Sequence, residues 1–188
     1  MVWYLGSKDG ATTVLDVEYE ICFVGNECEE TVVTLGTDQY LELDSDRIPT
    51  GKILKHPAVP GPNAPFVLGQ GGPAIDDCFV LDPNEHVPLD TRTTPLREIA
   101  ALTHPQSKVH LEILSTEPAF QFYTGEGVDT PALETSDGAF VHSKGARSGI
   151  AIEPGRYVDA QRKSWRHQCL LRQGQRWGAR SQYRAWTE

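Results

Sequence analysis

No apolar run in this chain approaches the length of a membrane span, and no basic segment followed by an apolar one stands at its start. Neither membrane insertion nor secretion is therefore expected. Cysteine is sparse: Cys22, Cys28, Cys78 and Cys169 show no CxxC spacing, and no Asn-x-Ser/Thr acceptor occurs. Reduced, buried thiols in a cytoplasmic protein follow from that pattern. The six histidines (His56, His86, His104, His110, His142, His167) show no HxH or HxxxH spacing, so no metal site is expected. Phosphate loops are missing, since Gly69-Gln-Gly-Gly72 precedes no helical pattern, and no serine has Gly-x-Ser-x-Gly around it. Positive charge is short as well, with 17 Lys and Arg against 26 Asp and Glu. Seven of those cations lie beyond Gln161 among Trp165, Trp177, Tyr183 and Trp186, a mixture that suits single-stranded nucleic acid. The remaining chain is strongly acidic and would repel phosphates, so the basic tail is expected to pair with acidic neighbours in its own fold. Helical periodicity is nearly absent; Pro95 to Leu102 is the one helix-like piece.

What the chain has is β pattern. Its 188 residues, 39% of them hydrophobic, are enough for one domain with a core. Val14 to Phe23 alternates apolar and polar residues, and Glu30 to Leu35 and Tyr40 to Leu43 are further short strands. Arg47 to Gly51 reads as a turn, and a Pro/Gly-rich connection runs from His56 to Pro73. Cys78 to Leu81, Val109 to Ser115, Ala119 to Tyr123, Gly149 to Glu153, Gln168 to Leu171 and Ser181 to Trp186 complete the predicted strands. Many short strands between turns predict an antiparallel sandwich or barrel.

Three polar positions stand out against that pattern. In Ser148-Gly-Ile-Ala-Ile-Glu-Pro-Gly-Arg-Tyr-Val-Asp-Ala160, Ile150 and Ile152 share one strand face and Ala151 and Glu153 the other. Pro154 removes a backbone donor just afterwards, so strand pairing is expected to end there. Glu153 is then either a solvent-facing edge carboxylate or a base placed beside a small Ala. Ile75-Asp-Asp-Cys-Phe-Val-Leu81 sets paired acids before an apolar run, as turn chemistry alone would also do. Ala119-Phe-Gln-Phe-Tyr-Thr-Gly125 puts Gln121 and Tyr123 on one face and Phe120 and Phe122 on the other. An amide and a phenol beside aromatic surface suit a sugar, which offers hydroxyls and C–H faces.

These segments, together with Asp46-Arg-Ile-Pro-Thr-Gly51, Ser115-Thr-Glu-Pro-Ala119 and Trp165-Arg-His-Gln-Cys-Leu-Leu-Arg-Gln-Gly174, occur in a definite order. From about Leu15 to Trp186 the chain resembles the aldose 1-epimerase (galactose mutarotase) family, especially its fungal-like members. The resemblance implies an all-β fold, a galactose-mutarotase-like antiparallel β-sandwich (supersandwich). It implies an isomerase that interconverts the α and β anomers of free hexoses by general acid/base ring opening, with no cofactor. Glu153 matches the family's general base, Asp76 an acid that binds sugar hydroxyls, and Gln121 a substrate-contacting amide. A carboxyl with an ordinary pKa near ~4.3 is a weak base, which partial burial strengthens. No Arg/Lys cluster converges on these three positions, which favours a free sugar over a phosphorylated one.

The chain also departs from the family. The general-acid histidine is expected in an Asn-His-x-Tyr-Phe-Asn-type stretch after Thr31-Val-Val33, but Val33 runs at once into Thr34-Leu-Gly-Thr-Asp38. The family's N-terminal portion, with a further histidine and a sugar-binding arginine, has no counterpart either. Residues 1–188 are thus expected to form a single sandwich domain corresponding to the C-terminal part of an aldose 1-epimerase, truncated at the N-terminus and impaired in turnover. The alternative is a catalytically inactive carbohydrate-binding or regulatory module on the same scaffold. The oligomeric state and the preferred hexose are left open by the sequence.

Overall fold

A computed structural model describes residues 20–21, 28–84, 86–134, 136, 140–141, 143–160 and 163–187. In chain order the strands are β1 (Glu20–Ile21), β2 (Val32–Leu35), β3 (Gln39–Leu43), β4 (Pro49–Lys55), β5 (Phe66–Val67), β6 (Asp76–Val80) and β7 (Arg97–His104). They continue as β8 (Val109–Ser115), β9 (Ala119–Tyr123), β10 (Leu133–Glu134), β11 (Phe140–Val141), β12 (Ile150–Gly155) and β13 (Ser181–Thr187). A six-stranded sheet has the order β1-β12-β9-β6-β3-β4, and a five-stranded sheet the order β13-β8-β7-β2-β5. All neighbours within these sheets are antiparallel. Most of the predicted Val14–Phe23 strand lies outside the described residues; only the pairing of β1 with β12 is described there.

The sheets pack face to face because alternate residues of each strand are apolar. Phe79, Phe120, Phe122, Ile150 and Ile152 from the larger sheet meet Val33, Leu35, Ile99, Leu102, Leu111 and Ile113 from the smaller. Burying one such side chain contributes about 1.5–3 kcal/mol. Phe79 stacks on Phe120 with ring centroids 5.5 Å apart and meets Phe122 edge-on at 6.3 Å. With their large residues facing inward, β9 and β12 turn Gln121, Tyr123, Ala151 and Glu153 outward, as their alternation predicts.

Four local expectations are corrected. Pro95 to Leu102 is no helix: its chain enters β7, hydrogen-bonded between β2 and β8. A bulge between Glu98 and Ala100 lets consecutive Ile99 and Ala100 both bury, which breaks the alternation that would have announced a strand. Gln168 to Leu171 is no strand; a 3-10 turn spans Ser164–Gln168, and its three-residue period buries Trp165 and Gln168 together. Pairing also continues past Glu153, with Pro154 opposite Phe120 and Gly155 opposite Ala119. Among the described residues Pro154 has a strand partner on one side only, and an edge tolerates its missing N–H. Finally, the turn between β3 and β4 is Asp44–Ile48, and Pro49 already belongs to β4.

Candidate active site

β6, β9 and β12 are neighbours, and their register sets three polar side chains on one outward face. Gln121 lies opposite Cys78 on one side and Glu153 on the other, while Tyr123 lies opposite Asp76 and Ala151. Directly opposed residues of an antiparallel pair share a face, so Asp76, Gln121 and Glu153 form one patch. Asp77 points the other way. It accepts from His56, Nε2 to Oδ2 at 3.2 Å, and Ala58 N–H donates to His56 Nδ1 at 3.2 Å, which assigns the ring proton to Nε2. The paired acids read from the sequence are thus divided between two faces.

Within the patch the hydrogen bonding is directional. Gln121 Nε2 donates to Asp76 Oδ1 at 2.8 Å, which fixes the amide orientation because a carboxylate can only accept. The amide oxygen Oε1 is consequently left buried with no hydrogen-bond partner among the described residues. A buried acceptor left unmatched costs about 1–3 kcal/mol, a cost that a hydroxyl donor would remove. Asp76, Gln121 and Glu153 therefore place two carboxylates and an amide on a single face. Ala151 beside them carries only a methyl group.

Two residues that sequence reasoning passed over belong to this face. Arg47 Nη2 donates to Asp76 Oδ2 at 2.7 Å and to the Asp76 carbonyl at 3.2 Å. Arg47 was legible as part of a turn and of a family-matching stretch, with no role assigned; its target lies 29 residues away, across β3. Cys78 sits beneath the patch, and its thiol is pushed up to about 12, first by burial, with the Asp77 and Glu153 charges adding to it. The Glu153 carboxylate is thus within electrostatic reach of Cys78. Tyr123 accepts a hydrogen bond from Gly127 N–H through its hydroxyl oxygen, which leaves its own proton available to donate.

The floor of the face is a second apolar cluster of Leu41, Cys78, Val80, Ala119, Tyr157, Ala160 and Trp165. It seats the chain that follows β12. Arg156 Nε lies 2.9 Å from Glu117 Oε2 in a buried ion pair, and Arg156 Nη2 donates to Leu89 O at 3.1 Å. Burial pushes the Glu117 carboxyl up and the Arg156 guanidinium down, each offset by the other's charge. Tyr157 donates to the Asp82 carbonyl. Glu153 is therefore held by β9 alongside it and by this anchorage three residues on.

Among the described residues, no group of three or more His, Cys, Asp or Glu is arranged to hold a metal ion. The histidines serve elsewhere: His56 on Asp77, His104 with Ser107, His110 stacked on Trp186 at 5.1 Å, and His86 near His167. His142 lies outside the described residues.

Comparison with known proteins bears on the same stretch. The family model described as Aldose 1-epimerase matches residues 15–184. Bifunctional protein GAL10 of Pachysolen tannophilus is 38% identical over 138 residues, covering 72% of this chain and 18% of that protein. Galactose mutarotase of Homo sapiens is 31% identical over 146 residues, covering 76% of this chain and 40% of that protein. The crystal structure of a GalM/aldose epimerase homologue from C. elegans superposes with a TM-score of 0.63 at 18% identity, covering 93% of this chain and 51% of that one. This chain spans less than half the length of the curated relatives named here and about half of that structure.

Proposed function

The chain belongs to the aldose 1-epimerase family, and from that premise we propose that its acceptor face binds a free hexose, galactose or glucose, for anomer interconversion. The observation that carries this reading is the buried, unmatched Gln121 Oε1 between two carboxylates. Such a surface calls for a ligand rich in hydroxyl donors, and the Arg47 guanidinium at its rim is already engaged by Asp76. Glu153 would take the proton of the C1 hydroxyl as the bond from C1 to the ring oxygen breaks. The ring oxygen must gain a proton in the same event. Rotation about C1–C2 and closure on the other face of the carbonyl then return both protons. Asp76 and Gln121 would hold other hydroxyls meanwhile. No redox change occurs, so the reaction needs no cofactor. A cytoplasmic setting is part of this proposal, supported by the free thiols of Cys28, Cys78 and Cys169.

The proton for the ring oxygen has no histidine donor in the expected place. β2 passes to β3 through Gly36–Asp38 alone, where the family carries its histidine-bearing stretch. Loss of a general acid costs on the order of 10²–10⁴-fold, so turnover by this chain is expected to fall by that factor. The same observation favours a second reading, a hexose-binding module with little turnover. Polarimetry on freshly dissolved α-galactose and α-glucose, with calorimetric titration of the same sugars, tests both readings. Binding with slow mutarotation that Glu153→Gln abolishes supports the enzyme. Binding with no Glu153-dependent rate supports the module. Absence of any hexose binding would refute both.

A further inference from the structure

We propose that Arg47 is a positioning residue for sugar binding, acting through Asp76. The inference rests on the hexose reading of the face and extends it to a residue outside the three β-strands. The turn that carries Arg47 is closed by Asp44: its Oδ1 accepts from Asp46 N–H at 2.9 Å and from Ile48 N–H at 3.0 Å. Asp44 N–H donates to Ile48 O at 2.9 Å, and Arg47 N–H to Asp44 O at 3.0 Å. Arg47 itself has φ 61°, a left-handed backbone that a β-carbon disfavours. Glycine would adopt that backbone with less strain, so the turn itself does not call for an arginine. Antiparallel pairing of Tyr40 with Phe79 brings the end of β3 to the start of β6, which sets this turn over Asp76.

The guanidinium then completes the definition of the carboxylate. Oδ1 is bonded by Gln121 and Oδ2 by Arg47, and the Arg47 bond to the Asp76 carbonyl ties side chain to main chain. Without Arg47 the carboxylate has one tether and rotates about it; with both it presents its remaining lone pairs in one direction. Arg47 Nη2 makes both contacts, and the side chain is 64% exposed, so its other N–H groups reach the rim of the face.

Calorimetric titration of the purified chain with galactose, on a cycle of Arg47→Met, Asp76→Asn and the double variant, tests the assignment. Melting curves establish that each variant is folded at the titration temperature. An exposed ion pair is a modest contributor, so R47M should weaken binding roughly three- to five-fold. In the D76N background the same substitution should change affinity hardly at all. Arg47→Lys keeps the charge and loses the planar fork, so it should fall between wild type and R47M. If R47M leaves affinity unchanged, or weakens it equally with and without Asp76, the proposal is overturned while the hexose reading stands. A wild-type chain that binds no galactose removes the hexose reading and this inference together. Should R47M melt below the titration temperature, R47K with D76N supplies the same cycle.

Discussion

Cys78 shows how much one position depends on its surroundings. It lies on the same strand face as Asp76, yet it is buried, and its thiol is held protonated up to about 12. A group whose folded pKa is raised stabilises the fold below its unfolded value and loses that contribution as pH climbs through the folded value. Stability should therefore decline from about pH 9 toward pH 12, and part of that decline should vanish in Cys78→Ala. Melting midpoints of both proteins from about pH 8, below that window, to about pH 11, within it, check the sign. At pH 8 a thiol reagent should label Cys169, which is partly exposed, before Cys78 or Cys28, and peptide mapping after brief alkylation reads the order.

Elements rather than residues decide whether Glu153 stays in place. The chain leaving β12 is pinned by the buried pair of Arg156 and Glu117, with its two partners 9% and 3% exposed. Removing one partner of such a pair strands a charge, so Glu117→Ala should cost about 3–5 kcal/mol in urea unfolding. Replacing both with apolar residues, as in E117L/R156M, should recover most of it. This anchorage was not readable from sequence, because its partners are 39 positions apart and join only after β9 and β12 pair. β8, by contrast, was legible throughout, since Leu111 and Ile113 alternate with outward residues as a half-buried strand requires. β7 was misread for the converse reason: its bulge puts two apolar residues inward in succession. The candidate site divides the same way. Gln121 and Glu153 stood out within their own segments and the family resemblance chose Asp76 over Asp77, but the Gln121 to Asp76 bond and Arg47 needed the strand order.

At the scale of the molecule, the smaller sheet ends in an exposed edge. All of β13 except Tyr183 is exposed, and Trp186 is stacked on His110 at that edge. The expected pairing of the basic tail with acidic neighbours is realised in part, by Arg184 with Glu112 at 3.4 Å; Arg180 instead donates to the Thr94 carbonyl. An exposed edge strand with one strand partner among the described residues and an exposed indole is a template for another strand. The purified chain should associate with rising concentration, and Trp186→Lys should shift that equilibrium toward monomer. Sedimentation velocity at several concentrations reads both outcomes; a concentration-independent monomer would contradict them.

The division of Asp76 and Asp77 between opposite faces carries a consequence for insertions and deletions. β6 is read by parity: odd and even positions serve different compartments, one toward a ligand, the other toward His56 and the core. Losing one residue within β6 would exchange the two acids and invert Cys78 and Phe79 with them. Losing one in the irregular stretch around Pro60–Asn63, which belongs to no strand although Asn63 N–H donates to the Leu35 carbonyl at 2.8 Å, would leave that parity untouched. A single-codon deletion is thus ruinous within Asp76–Val80 and milder at Pro60–Asn63.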